Sequence, residues 1–523
     1  MTRSLPVVTL LVGLALPQLA RAKDETRWLS EASQGARIER VEQDFPPIIL
    51  ADGTSLHFDL QSWMELFKVP GLSIAVFDNF QVVWRKSYGV KEAGTTAPVT
   101  LDTTFQAGSV SKPVTALAAM RLVQEGRLQL DENVNDKLLS WKVPDNAFTA
   151  REKVTLRRLL SHSAGLSVHG FPGYAVGAPL PTLVQVLNGE KPANTAPVRV
   201  VMVPGTKFEY SGGGTTIVQQ LLIDQLQKPF PQLMAELVFL PLGLTHSSYE
   251  QPQPPLRAQM SAVGHHTDGM PVTGKWHLYP EMAAAGLWTT PGDLAQVAIE
   301  VAKSKHGTSN RILSQKSVQQ MLTTQASPMG LGFFVDPKSD KFGHDGDDDG
   351  FKTALIAFSD SGQGAVVMAN SDYGVWLVTP FLTSLAKEYG WKSFAPEPMR
   401  PHVRFIAVER KLGATKALAD YSAQRAKGHA EDYSAADLNA AGYDLLGAAR
   451  PLDAIQVFQA NVALYPQDAN VYDSLGEAYA AAGKRDLAVQ NYEKSLALNP
   501  KNANGIAQLA KLGVAWPPDA GRH

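Results

Sequence analysis

Phe105-Gln106-Ala107-Gly108-Ser109-Val110-Ser111-Lys112 sets a serine three residues before a lysine at the start of a helical stretch. Residues i and i+3 share one face of a helix, so the Ser109 hydroxyl and the Lys112 amine can meet. A hydroxyl is a weak nucleophile until a neighbouring base takes its proton. A lysine serves as that base when desolvation or nearby charge lowers its pKa. Backbone N–H groups at a helix start can also hold a developing oxyanion. The stretch therefore reads as an S-x-x-K nucleophile motif. The helix behind it is predicted over Pro113 to Glu125: Pro113 stands in its first turn, Ala116, Leu117, Met120 and Val123 recur at helical spacing, and Gly126 caps it.

Working outward, Gly71 to Phe77 is strand-like, Asp78-Asn79 turns, and Gln81 to Lys86 returns, which predicts a hairpin. A second hairpin runs through Thr353 to Ser359, a turn at Asp360 to Gly364, and Ala365 to Asn370. Strands at both ends with helices between them predict an α/β (α+β) domain whose sheet is mainly antiparallel and flanked by helices. The composition suits a large core: 44% of the 523 residues are apolar and 19% charged. The net charge of −2 gives no electrostatic case for nucleic acid or an acidic membrane. The absence of cysteine excludes disulfides, Fe–S clusters, Cys-ligated zinc and a cysteine nucleophile.

Residues 1–22 read as a secretory signal: Arg3, then the apolar run Leu5 to Leu16, then the small-x-small site Ala20-Arg21-Ala22. The alternative is an uncleaved anchor, but the run is shorter than a spanning helix. A secreted or periplasmic protein without a stable membrane span is expected. At the other end a 34-residue period relates Gly442 to Gly476, Ala454 to Ala488, Phe458 to Tyr492 and Pro466 to Pro500. That is tetratricopeptide spacing, a small residue where two helices cross followed by an aromatic and a closing proline. The expected division is a hydrolase domain over 23–395, a linker with a degenerate helical repeat over 396–433, and repeats over 434–515.

Phe105 to Lys112 is similar to the nucleophile motif of the class C β-lactamase-like and penicillin-binding-protein-like serine hydrolases. Thr155 to Leu166 and Ala285 to Leu294 also resemble segments of that family. The resemblance implies a sheet with helices on both faces plus an all-helical lobe, with the site between them. It implies that Tyr210, in Tyr210-Ser211-Gly212, helps move the proton of Ser109. The family's substrate-binding asparagine is Gly212 here, which disfavours penicillin-type recognition. His344-Asp345-Gly346 resembles the family's Lys-Thr-Gly or His-x-Gly strand. Gly346 would let a substrate backbone approach, and the Asp347 N–H would join that of Ser109 in the oxyanion hole. His344 in place of lysine weakens the fixed positive charge, since histidine is charged only part of the time near neutrality.

Asp345, Asp347, Asp348 and Asp349 crowd one strand or turn. An EF-hand loop would need glutamate where Ile356 stands, so calcium is not expected. Four carboxylates would instead repel anionic substrates. His162, His265 and His266 lack an evident ligand set and read as structural. No cofactor or metal is expected. The leading expectation is a hydrolase with an acyl-enzyme on Ser109, taking small esters and D-amino-acid peptides ahead of β-lactams. The alternative is a periplasmic repeat scaffold with an inactive hydrolase-like domain. A small-molecule or peptide substrate is expected, with a protein partner bound through the repeats as a further expectation.

Overall fold

The computed structural model describes residues 33–428 and 433–517. The expected signal, residues 1–22, lies outside the described residues. The central sheet has six strands: β1 (Gly71–Asp78), β2 (Gln81–Gly89), β3 (Phe334–Val335), β4 (Lys341–Asp348), β5 (Phe351–Phe358) and β6 (Gln363–Ala369). Their order is β2-β1-β6-β5-β4-β3, and every pairing is antiparallel.

Both predicted hairpins form. The first turns one residue later than expected, at Asn79 and Phe80, both with positive φ (+49° and +61°). A phenylalanine is unusual there, and a tertiary contact accounts for it: the Phe80 N–H donates to the Gly362 carbonyl of the second hairpin's turn.

The central strands are apolar on both faces because both faces are covered. Ala75, Phe77, Leu355, Ala357, Val366 and Met368 point into one core with α1 (Ser111–Gln124), α2 (Gly212–Leu226) and α3 (Pro291–Lys305). Their alternating neighbours Ile74, Val76, Ile356, Phe358, Ala365 and Val367 point the other way, under α4 (Gly374–Tyr389). The long region between β2 and β3 holds helices, α1, α2 and α3 among them, joined by extended loops. It also holds two short ladders, Phe105–Gln106 with Trp288–Thr289 and Tyr174–Ala175 with His277–Leu278, so the lobe is not purely α.

After Trp391 the described chain is helical: α5 (Pro401–Leu412), α6 (Ala414–Lys427), α7 (Ala435–Gly447), α8 (Pro451–Leu464), α9 (Ala469–Ala481), α10 (Arg485–Leu498) and α11 (Ala503–Lys511). Gly442 of α7 lies against the Phe458 ring, and Gly476 of α9 against the Tyr492 ring. A side chain at either glycine would push the paired helices apart. One apolar cluster runs without a break from Trp63 through β1 and α4 to Val403, Phe405, Tyr421, Phe458 and Leu509. It crosses the expected boundary at 395/396. Ion pairs reinforce the docking: Lys416 to Asp52 (2.6 Å), and Arg404 to Asp420 (2.9 Å), whose carboxylate also accepts from the Ala51 N–H (2.7 Å).

Candidate active site

Gly108–Val110 form a single 3₁₀ turn that runs directly into α1. Ser109 thus sits on the turn and Lys112 in the first turn of the α-helix. The Lys112 Nζ lies 2.7 Å from the Ser109 Oγ and donates a second bond to the Ala284 carbonyl at 2.8 Å. Lys112 is buried, so its amine is held by these partners rather than by bulk water. That distance is within reach for proton transfer from the hydroxyl.

Ser111, in the same octapeptide, ties the turn down. Its hydroxyl donates to the Gly108 carbonyl (2.6 Å) and accepts from the Leu287 N–H (3.0 Å). The Ala107 N–H donates to the Leu287 carbonyl (2.8 Å), and the Tyr249 hydroxyl to the Ser111 carbonyl (2.8 Å). The segment Ala285 to Leu294 therefore holds the nucleophile turn from behind.

The β4 strand passes in front. Gly108 has φ +52°, and a Cβ there would come within 2.5 Å of the Asp347 nitrogen. A side chain at Gly346 would run into the Ala107 carbonyl. Both glycines are required by this close approach of turn and strand, which sets the Asp347 backbone beside Ser109.

Tyr210 precedes α2, whose N-cap Ser211 accepts from the Gly214 N–H (3.1 Å). Lys112 Nζ lies 5.1 Å from the centre of the Tyr210 ring. His162 stacks on the same ring with centroids 4.3 Å apart, and its Nδ1 accepts from the Ser211 N–H (3.1 Å). Burial and the nearby Lys112 charge hold His162 neutral. It is a packing residue of the site.

Ser109, Tyr210, His344, Gly346 and Asp347 line one cavity of about 820 Å³, together with His169 and Phe334. Gly212 does not reach it. The Gly212 Cα is buried against the His169 carbonyl and the Phe171 ring, each about 3.1 Å from where a Cβ would stand.

Two expectations need correction. His344 is buried, and desolvation together with Lys112 pushes its pKa down to about 3. It is therefore neutral at physiological pH rather than partly charged, and offers no fixed cation to a carboxylate. Its Nδ1–H donates to the Asp345 carbonyl (2.7 Å), leaving a buried Nε2 without a partner. The four aspartates also do not act together. Asp345 and Asp347 face the cavity. Asp345 is open to the cavity but deep within protein, and that desolvation raises its pKa. Asp347 is paired with Lys352 (2.6 Å). Asp348 turns inward with both oxygens buried and unpartnered, so burial and the neighbouring Asp347 charge raise its pKa well above the carboxylate range.

Asp349 points away to the histidines, 3.3 Å from His266 and 3.4 Å from His277. Asp372 is 3.5 Å from His266, so Asp349 and Asp372 supply the neighbours that the sequence did not reveal for this histidine. His266, Asp349 and Asp372 are close enough to share a cation. The Lys352 ammonium, 2.7 Å from Asp372, already places a positive charge there. His265 is buried between the Asn370 carbonyl and the Ala93 N–H, a structural position.

Behind the site lies Glu281, fully buried, with one oxygen 3.5 Å from the Tyr174 hydroxyl and the other unpartnered. Burial raises its pKa to about 7. Among the described residues no helix is long and apolar enough to cross a membrane.

The sequence and the fold have counterparts in known proteins. Penicillin-binding protein 4 of Amycolatopsis lactamdurans is 29% identical over 360 residues, covering 63% of this chain and 89% of that protein. Protein flp of Staphylococcus aureus strain MW2 is 24% identical over 361 residues, covering 65% of this chain and 67% of flp. Among solved structures, the octameric penicillin-binding protein homologue from Pyrococcus abyssi shares the fold with a TM-score of 0.53 at 23% identity, over 68% of this chain and 80% of that one. Residues 63–380, more than half of the sequence, match the Beta-lactamase family. The chain belongs to that family of β-lactamase-related, penicillin-binding-protein-like serine hydrolases.

Proposed function

We propose that the protein is an exported serine hydrolase that cleaves esters or amides through an acyl-enzyme on Ser109. The observation that carries this is the 2.7 Å contact between the Ser109 hydroxyl and the buried Lys112 amine. In the proposed cycle Lys112 takes the hydroxyl proton as Oγ attacks the carbonyl carbon. The backbone N–H groups of Ser109 and Asp347 hold the resulting oxyanion. Tyr210, beside the lysine, passes the proton to the leaving group, and water then releases the acyl group. Small esters and D-amino-acid peptides rank ahead of β-lactams. The buried neutral His344 and the Gly212 packed against Phe171 support that order, since neither offers the charge or amide that would hold a penicillin carboxylate or side chain.

The helices after 434 are proposed to be tetratricopeptide repeats that bind a protein partner. Supporting this are the 34-residue period and the packing of Gly442 on Phe458 and Gly476 on Tyr492, equivalent crossings one period apart. The test of the main reading is turnover of p-nitrophenyl butanoate by wild type beside Ser109→Ala, with a fluorophosphonate probe and mass spectrometry to locate the label. Turnover lost with the serine, and a label on the peptide holding Ser109, support the reading. Equal turnover by both proteins, or a label elsewhere, sinks it and returns weight to a non-catalytic scaffold.

A further inference from the structure

The cavity in front of Ser109 does not end at the family domain. At the catalytic end it holds Ser109, Tyr210 and His344, with the Phe334 ring against the last two. Its outer part is walled by Trp376 and Val378 of α4, by Met399 and Val403 from the start of the helical region, and by Ile48 from the N-terminal segment. Ile48, Met399 and Val403 lie outside the stretch that matches the family, residues 63–380. The N-terminal segment and the helical region thus complete the wall, and they do so with apolar side chains.

We propose that this outer half is a subsite for an aliphatic chain attached to the scissile ester or amide. The inference rests on the hydrolase reading above and names its substrate class. The volume, about 820 Å³, is that of a pocket holding a drug-sized molecule rather than an acetyl group. The cations on its wall do not favour a charged chain. Lys352 is held by Asp347 and Asp372 at 2.6 and 2.7 Å, and Arg404 by Asp420 at 2.9 Å. The exposed Glu397 and Arg400 on the linker carry opposite signs. Besides the Asp345 carboxylate, which also faces the cavity and would repel an anionic chain, what the outer wall offers is apolar area, and Val375 in its lining is an exposed hydrophobic residue. Burying a chain there removes both surfaces from water.

The test is kcat/KM for p-nitrophenyl acetate, butanoate, octanoate and dodecanoate, and for ethyl, octyl and dodecyl acetate. Wild type is compared with Met399→Trp and Thr379→Trp, two substitutions that fill the outer half from the linker and from the half-buried cavity face of α4. Each buried methylene is worth about fourfold, so octanoate should exceed butanoate by at least ~10-fold. Both tryptophan variants should abolish that gain while acetate turnover stays within about twofold of wild type. A rise only in the alkanoates places the chain on the acyl side, and a rise only in the alkyl acetates places it on the alcohol side; either supports the subsite. No dependence on chain length in either series overturns it, as does an equal loss on acetate and octanoate.

Should Ser109 prove unlabelled and every ester stay intact, the hydrolase reading fails on its own. The subsite is then judged by fluorescence of the neutral apolar probe N-phenyl-1-naphthylamine. Binding to Ser109→Ala that disappears in the Ser109→Ala, Met399→Trp double variant sustains it, and equal or absent binding in the two refutes it.

Discussion

Replacing Gly108 by alanine tests whether the turn-to-strand approach matters for catalysis. Gly108 has φ +52°, and the added Cβ would stand 2.5 Å from the Asp347 nitrogen and 3.0 Å from the Gly346 carbonyl carbon. Ordinary contact begins near 3.4 Å. The nucleophile turn and β4 must therefore part by up to about 0.9 Å, and the moving group is the proposed oxyanion donor. A misplacement of ~1 Å in reacting geometry costs about 100-fold in rate. The left-handed conformation adds about 1–2 kcal/mol of strain, and overpacking a further ~1–3 kcal/mol.

Gly126→Ala separates the two effects. Gly126 has φ +73° with nothing within 4 Å of its Cβ position, so it carries the strain without the clash. The expected result is kcat/KM down on the order of 100-fold for Gly108→Ala, mostly through kcat, with stability lowered by about 2–5 kcal/mol. Gly126→Ala should lose ~1–2 kcal/mol and keep full activity. The assay is ester turnover below the unfolding transition of each variant, with urea titrations alongside. If Gly108→Ala turns over within threefold of wild type, the Asp347 N–H is not held by this packing and the oxyanion assignment is wrong.

Lys112→Met should remain folded and lose about 10²–10⁴-fold in kcat/KM, with slow fluorophosphonate labelling of Ser109 as the direct readout. Glu281→Gln should change how stability depends on pH. The folded pKa is raised from 4.5 to about 7, so the wild type is fully stabilised below pH 4.5 and loses that contribution as pH rises through 7. At about 1.4 kcal/mol per pH unit the variant should gain roughly 3 kcal/mol over wild type between pH 4.5 and pH 8, read from urea unfolding at both ends. Asp348→Asn should shift the balance in the same direction, since its buried carboxyl is also raised; an unchanged difference between acid and alkaline pH would show that this carboxyl is solvated. Gly476→Val would place a side chain 2.8 Å from the Tyr492 ring and should cost about 1–3 kcal/mol, seen as faster amide exchange in α9 and α10 ahead of the sheet.

The nucleophile motif and the two hairpins were legible because each is local: a spacing of three on a helix, and alternation with a turn. Ser109 and Lys112 meet for that reason. Residues that depend on distant contacts were not legible. The charge of His344 depends on burial beside Lys112, and no spacing encodes that. The inward turn of Asp348 and the outward turn of Asp349 follow from where the β4–β5 turn falls. Ser111 was in plain view, but its partner Leu287 lies far along the chain, and the link appears only when Ala285 to Leu294 packs behind the turn. The outer cavity wall combines Ile48 and Met399, which no sequence-local signal connects.

The pairing of β6 with β1 also constrains how the chain reaches this structure. Val366 stands opposite Ala75 in the ladder, so two neighbouring inner strands of the sheet come from opposite ends of the domain. On a ribosome β1 and β2 emerge first and can form only a two-stranded hairpin, which is marginal in water. They must wait for nearly all of the intervening lobe before the meander β4-β5-β6 arrives to pair. Non-local pairing of this kind slows folding, because loop closure precedes the contacts that reward it. During that delay the apolar sequence Leu72-Ser73-Ile74-Ala75-Val76-Phe77 lacks its eventual neighbour, an uncovered strand edge of the kind that chaperones hold.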